Sequence, residues 1–398
     1  MNLLTKKLMF TGCILSLSIL LIEALLHGFS YLSIKTDSIL GGTYWEEKYM
    51  PLPDERLGFR PNPNHPENDA RGFRNVKALK KASMVALGDS QTQGQGAKLD
   101  QAWPQQVAQL ADFPVYNMGF GGYGPVHAWL LLNEALALGP EIIVLGLYSG
   151  NDLYDCYDLV YERDKISELK TQDQIVLESI RDANNHSALE QQVAKSFHGH
   201  DHSKPRQLLS QWSKIYALLR AVKNEMLFGD KWEVQKNRVA SNRSYIVFEA
   251  GDIRTILTPQ YRLTALDLND PRIQEGRRLT FQVISLMHAE TIKHEVKFVV
   301  LLLPTKELVY KQILNNITAL GDTLYDELIN NELKFWEKTK NFCFDQGIEC
   351  IDVLPAMRQI LDAKRNPYAS SSDGHPNAEG YRAIANAIIV GLSKRGWL

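Results

Sequence analysis

Five short apolar runs constrain this chain more than any other feature: Ser83–Leu87, Val115–Asn117, Glu141–Leu147, Val296–Leu303 and Glu349–Val353. Each is rich in β-branched and aliphatic residues and lacks the in-out alternation of a strand with one wet face. Both faces of such strands must be covered, which points to a parallel sheet packed between helices. Helical patterns over Ala102–Leu110, Pro125–Leu138 and Lys306–Phe344 lie between several of the runs. The alternation predicts an α/β domain over residues 81–398 with a central parallel sheet of about five strands.

Two stretches fall outside this rhythm. Residues 35–80 carry Gly41-Gly42, Pro51, Pro53, Pro61, Pro63 and Pro66, too much punctuation for long helices or central strands, and read as an irregular linker packing on the domain edge. Residues 156–295 are longer and more polar, with helical patches such as Leu208–Met226, and read as a mostly helical insertion or cap.

The amino terminus has its own character. Lys6-Lys7 precedes Leu8–Ile22, fifteen residues without a charge, and apolar character continues to Leu32, broken by Glu23 and His27. A run of that length can span a bilayer of about 30 Å. Asp37, Glu46 and Glu47 follow it, so the positive-inside bias puts the lysines in the cytoplasm and the body outside. Gly28-Phe29-Ser30 is a weak cleavage site, so residues 1–34 are expected to be an uncleaved signal-anchor that makes the lipid bilayer a partner of the chain.

Charge narrows the function classes. Among 398 residues, 44 Lys and Arg stand against 46 Asp and Glu, leaving no positive field with which to neutralise phosphates, and a nucleic-acid partner is excluded on that ground. Four cysteines are too few for a disulfide-built fold.

Four motifs carry chemistry. Leu87-Gly88-Asp89-Ser90-Gln91-Thr92-Gln93-Gly94 follows the first run, and a serine leaving a buried parallel strand stands at the sheet edge where ligands bind. Asn117-Met118-Gly119-Phe120-Gly121-Gly122-Tyr123-Gly124 follows the second; its glycines let backbone approach closely, and it lacks the spacing and lysine of a phosphate-binding loop. Tyr148-Ser149-Gly150-Asn151-Asp152 follows the third and offers a neutral amide donor at Asn151. Ser372-Asp373-Gly374-His375-Pro376-Asn377 precedes a closing amphipathic helix over Ala378–Leu392, with Asp373 spaced to fix the tautomer of His375. Taken singly, each motif is also an ordinary turn or cap.

In this order the four blocks resemble those of the SGNH hydrolases, the GDSL esterase family, over Met84–Asp155 and Leu303–Ile389. The resemblance implies a three-layer α/β/α flavodoxin-like fold. It implies Ser90 as nucleophile, His375 as base, Asp373 as orienting acid, and an oxyanion hole from Ser90, Gly122 and Asn151. Many members carry the acid three residues before the histidine, where this chain has Ser372. Leu57-Gly58-Phe59-Arg60-Pro61 and Gly72-Phe73-Arg74-Asn75 are similar to segments preceding the catalytic domain in membrane-anchored members.

The implied activity is hydrolysis of acyl esters, short-chain or acetyl, on a small molecule or glycan, through an acyl-serine that needs no metal or cofactor. Two other readings stay open: an O-acyltransferase passing the acyl group to a cell-surface polysaccharide, and a non-catalytic polysaccharide-binding or assembly factor on the same fold. His198, His200 and His202 around Asp201 read as a solvated loop instead of a metal site, and Lys306 after the fourth run as a helix-start neighbour or a substrate contact. Cys343 and Cys350 are close enough in sequence to bridge, with nothing in the spacing to decide it.

Overall fold

The computed structural model describes residues 3–40, 48–198, 209, 212–228, 231–240, 242, 244–314 and 323–398. The chain divides into two compact units, Met1–Met50 with His200–Asn237, and Pro51–Gly199 with Arg238–Leu398.

The first unit contains helices Leu3–Ser30, Ile34–Ile39 and Lys214–Phe228. Its long helix is apolar over Thr5–Ser30, with a mean hydropathy of 2.2 and no part of its most apolar window buried. That is long and apolar enough to cross a membrane.

The second unit is built on a five-stranded parallel sheet of β3 (Met84–Leu87), β4 (Val115–Asn117), β5 (Ile142–Tyr148), β8 (Lys297–Leu303) and β9 (Glu349–Asp352), in the order β4-β3-β5-β8-β9. Counted along the chain this is 2-1-3-4-5, the flavodoxin-like winding. Two antiparallel hairpins accompany it: β1 (Leu52–Asp54) with β2 (Gly58–Arg60), and β6 (Ile246–Ala250) with β7 (Ile253–Leu257). Every residue of β3 and β5 is buried, as their unbroken apolar sequence requires. Helix Trp103–Ala111 packs against Ala378–Lys394, and Pro125–Leu136 against Pro271–Lys293, giving the outer layers.

The stretch expected to be an irregular linker is tied to the sheet by specific bonds. β4 ends the sheet, and the Asn75 amide pairs both backbone groups of its last residue: Oδ1 accepts the Asn117 N–H at 3.0 Å and Nδ2 donates to the Asn117 carbonyl at 2.9 Å. Tyr116 donates its hydroxyl to Asp69 at 2.7 Å, and Phe73 is buried beside it. Arg74 donates to the carbonyls of Gly94 at 2.5 Å and Ala97 at 2.8 Å, fixing the loop beyond Ser90.

The region expected as an insertion holds helices and the β6–β7 hairpin, and its last helix, Pro271–Lys293, is the crossover that returns the chain to β8. That helix packs on the short helix Asp152–Tyr157 so closely that a Cβ at Gly276 would stand 2.0 Å from the Leu153 carbonyl oxygen. Replacing Gly276 by alanine forces two backbones apart. Denaturant unfolding of Gly276→Ala is expected to show a loss of about 1–3 kcal/mol, and unchanged stability would mean that the two helices separate freely.

Candidate active site

The winding brings three loops to one place. In the 2-1-3-4-5 order the chain reverses direction between β3 and β5, and the crevice beyond the carboxyl ends of these neighbours is where such sheets accept ligands. Ser90 follows β3, the glycine loop follows β4, and Asn151 follows β5.

Ser90 opens helix Ser90–Gln93, whose N-cap is Asp89; the Asp89 carboxylate accepts the Gln91 N–H at 2.8 Å. Asp89 is buried, and burial pushes its carboxyl up to about 6 against the opposing pull of the Gln91 N–H, with His375 and Arg262 nearby favouring the ionised form. Its second oxygen lies 3.4 Å from Ser90 Oγ, farther than His375 Nε2, so Asp89 serves the turn first.

His375 arrives from the loop before helix Ala378–Lys394. Its Nε2 lies 2.8 Å from Ser90 Oγ, and its Nδ1 lies 2.5 Å from Asp373 Oδ1. Burial alone would raise the Asp373 carboxyl, but the hydrogen bonds from His375, with the ammonium of Lys306 nearby, hold it below the usual carboxylate range. An ionised carboxylate only accepts, so Nδ1 carries the proton and Nε2 accepts the serine O–H.

Three residues hold the histidine loop. Gln91 donates to the Gly374 carbonyl at 3.2 Å, joining the serine helix to the loop directly. Asn377 caps the closing helix, accepting the N–H groups of Glu379 and Gly380 at 3.0 Å. Lys306 is fully buried and donates to the carbonyls of Ser371 and Asp373, each at 2.8 Å. Burial lowers its ammonium to about 8, while Glu307 and Asp373 favour the charge. Lys306 therefore braces the loop from behind, while Thr305 accepts the Leu308 N–H at 3.1 Å as a helix-start residue does.

On the other side of Ser90, Gly121 donates its N–H to Gln93 Oε1 at 3.0 Å. The N–H groups of Ser90 and Gly122 find no acceptor among the described residues. Gly122 has φ of 79°, a left-handed conformation that suits glycine, and the Phe59 ring stands over it. Asn151 donates its side-chain amide to Asp155, one helical turn onward, leaving its second amide hydrogen.

Behind these groups lies a buried set of charges that sequence reading did not single out. Burial raises Asp155 to about 8, with Asp89 and Asp158 adding to the shift, and raises Asp152 well above the carboxylate range, with Asp89 and Asp155 adding to it. Asp152 accepts the Tyr148 N–H at 2.8 Å. Arg262 is buried beside the loop, donating to the Gly150 carbonyl at 3.4 Å and lying against the rings of Tyr148 and Tyr261. Burial opposes its charge, but Tyr148, Tyr261, Glu307 and Asp89 hold it cationic. Asp155 was findable as the polar residue four after Asn151 on a helix; Arg262 carries no local signal. Among the described residues no group of three or more His, Cys, Asp or Glu could hold a metal ion. His200, Asp201 and His202 lie outside the described residues, as does the side chain of His198. Cys343 and Cys350 are unbridged.

No family model and no curated protein matches the chain. Solved structures with a similar chain path include a protein described as a lipolytic member of the G-D-S-L family from Desulfitobacterium hafniense, at 14% identity and TM-score 0.35, covering 78% of this chain and 98% of that one. A catalytic mutant of an acetylxylan esterase from Geobacillus stearothermophilus is matched at 10% identity and TM-score 0.39, over 79% and 95% of the two chains. A GDSL-like lipase from Bacteroides thetaiotaomicron is matched at 10% identity and TM-score 0.34, over 78% and 88%.

The raised Asp155 carboxyl has a consequence for stability. Folded Asp155 holds its proton up to about pH 8, whereas in the unfolded chain it loses it near pH 4. Between those values the native state binds the extra proton, so this group's contribution to stability falls as pH rises. Asp155→Asn, which cannot ionise, should gain in melting temperature relative to wild type as pH goes from about 4 to 8. Parallel curves for the two proteins would show that Asp155 titrates normally.

Proposed function

We propose that this chain is an ester hydrolase of the SGNH type, with Ser90 as nucleophile, His375 as general base and Asp373 as the carboxylate that orients it. The observation that carries this reading is the unbroken Ser90–His375–Asp373 hydrogen-bond chain at the switch point of the sheet.

In the reaction, Ser90 Oγ adds to the ester carbonyl as His375 Nε2 takes its proton. The developing oxyanion is held by the N–H groups of Ser90 and Gly122 and the side-chain amide of Asn151. Collapse of the tetrahedral species expels the alcohol, which takes the proton back from His375 and leaves acyl-Ser90. Water then enters; His375 takes its proton, the hydroxide adds to the acyl carbonyl, and the carboxylic acid leaves as Ser90 is reprotonated. Because Asp373 is held below the usual carboxylate range, it stays ionised beside His375 and stabilises the imidazolium formed when Nε2 takes the proton.

Short acyl or acetyl esters on a glycan are the proposed substrates. Helix Leu3–Ser30 anchors the enzyme in a bilayer, and Lys6-Lys7 near its start, ahead of the uncharged run, orient the catalytic unit to the extracytoplasmic side.

The test is turnover of p-nitrophenyl esters of increasing acyl length and of acetylated oligosaccharides, together with labelling by a fluorophosphonate. Wild type should turn over esters and label. Ser90→Ala should lose both, and Asn151→Ala should lose about 10²–10³ in kcat while still labelling. Folded wild type that neither labels nor turns over any ester would overturn the proposal, as would a Ser90→Ala variant that retains activity.

A further inference from the structure

A charge inside a bilayer-length apolar helix needs a partner. Glu23 lies sixteen residues beyond Lys7 in helix Leu3–Ser30, about 24 Å along the axis. With Lys7 at one boundary of a hydrocarbon layer about 30 Å thick, Glu23 lies within the layer, roughly one helical turn from the far boundary. Its carboxylate is fully engaged. It accepts the N–H of Lys214, the N–H of Ile215 at 3.1 Å and the hydroxyl of Ser213 at 3.2 Å, with His27 Nε2 at 3.5 Å. Ser213 Oγ in turn accepts the Tyr216 N–H at 3.2 Å.

The first turn of helix Lys214–Phe228 is therefore capped from outside its own sequence by the anchor helix. Each side solves the other's difficulty: the orphan N–H groups of a helix start are costly in hydrocarbon, and so is a carboxylate, and here they neutralise one another. The surface beside this junction is apolar and uncovered. Trp212 is 80% exposed, Leu219 62%, Val222 40% and Leu218 36%. The last three lie within an arc of about 100° on one helical turn. The same uncovered character continues along the anchor at Leu15, Leu20 and Leu25.

We propose that helix Lys214–Phe228 is a membrane-embedded element, docked on the anchor through Glu23, with acyl chains and headgroups of the far leaflet covering Trp212, Leu218, Leu219 and Val222. It rests on the reading of helix Leu3–Ser30 as a membrane span. A tryptophan at this depth is where an interfacial aromatic anchor belongs.

The test uses the full chain in phosphatidylcholine vesicles with a minor share of phosphatidylglycerol, with Cys350 replaced by serine. A bimane fluorophore is placed either on native Cys13 or, in a Cys13→Ser background, on Leu219→Cys. Lipids brominated on the acyl chain should quench most of the fluorescence at both sites, while aqueous iodide quenches neither. Glu23→Leu should transfer the position-219 probe to iodide and leave Cys13 in lipid; Glu23→Gln, whose carbonyl still accepts, should retain part of the lipid quenching. Quenching of position 219 by iodide alone, with Cys13 in lipid, overturns the inference and leaves the anchor standing. Iodide quenching at both sites overturns the anchor and the inference with it. Glu23→Leu without effect at position 219 removes the docking role of Glu23 and overturns that part of the proposal.

Discussion

Burying both faces of a parallel sheet is the constraint from which the rest follows. Once β3, β4 and β5 are covered on both sides, every strand must leave by the same edge, and residues far apart in sequence are delivered to one crevice. Ser90 and His375 meet at 2.8 Å across 285 positions because the strand preceding one and the helix following the other belong to a single layered core. The contacts between serine loop and histidine loop, through Gln91 and Gly374, refine a meeting that topology has already arranged.

The same edge collects buried ionisable side chains. Asp89, Asp152 and Asp155 stand against Arg262 and Lys306 in a region where isolated charges are costly. The two carboxyls raised furthest, Asp152 and Asp155, lie beside the Asn151 turn, whereas Asp373 is held ionised beside His375. For the proposed reaction, neutral acids beside Asn151 and an ionised one beside His375 are the distribution an anionic intermediate tolerates best. Arg262 and Lys306 hold loop carbonyls while contributing positive charge behind the site.

Legibility in the sequence followed the range of the interaction. The five strands were readable within a residue or so, since a strand buried on both faces is a local composition: Ser83–Leu87 became Met84–Leu87, and Val115–Asn117 was found unchanged. The residues of the candidate site could be singled out in the sequence because each follows a strand or precedes a helix. Helix Pro271–Lys293 was hidden by its own surface, where Arg277, Arg278 and Gln282 interrupt the buried series Ile273, Leu279, Val283 and Ile284. The inward turn of Lys306 and the burial of Arg262 depend on partners about sixty to more than a hundred residues away, at Ser371, Asp373 and Gly150, and no periodicity announces them. The pairing of Glu23 with Ser213, Lys214 and Ile215 is of the same kind.

The Asn75 amide on Asn117 does the work of a missing sixth strand. β4 would otherwise present unpaired backbone groups at the margin of the sheet, and such margins recruit extended segments from other molecules. One side chain, backed by Asp69, Phe73 and Tyr116, satisfies both polar groups of the last residue of β4 and closes that margin. A chain that lost this arm to proteolysis would keep every strand of its sheet yet gain an adhesive border, so self-association, rather than unfolding, would be the first sign of the damage.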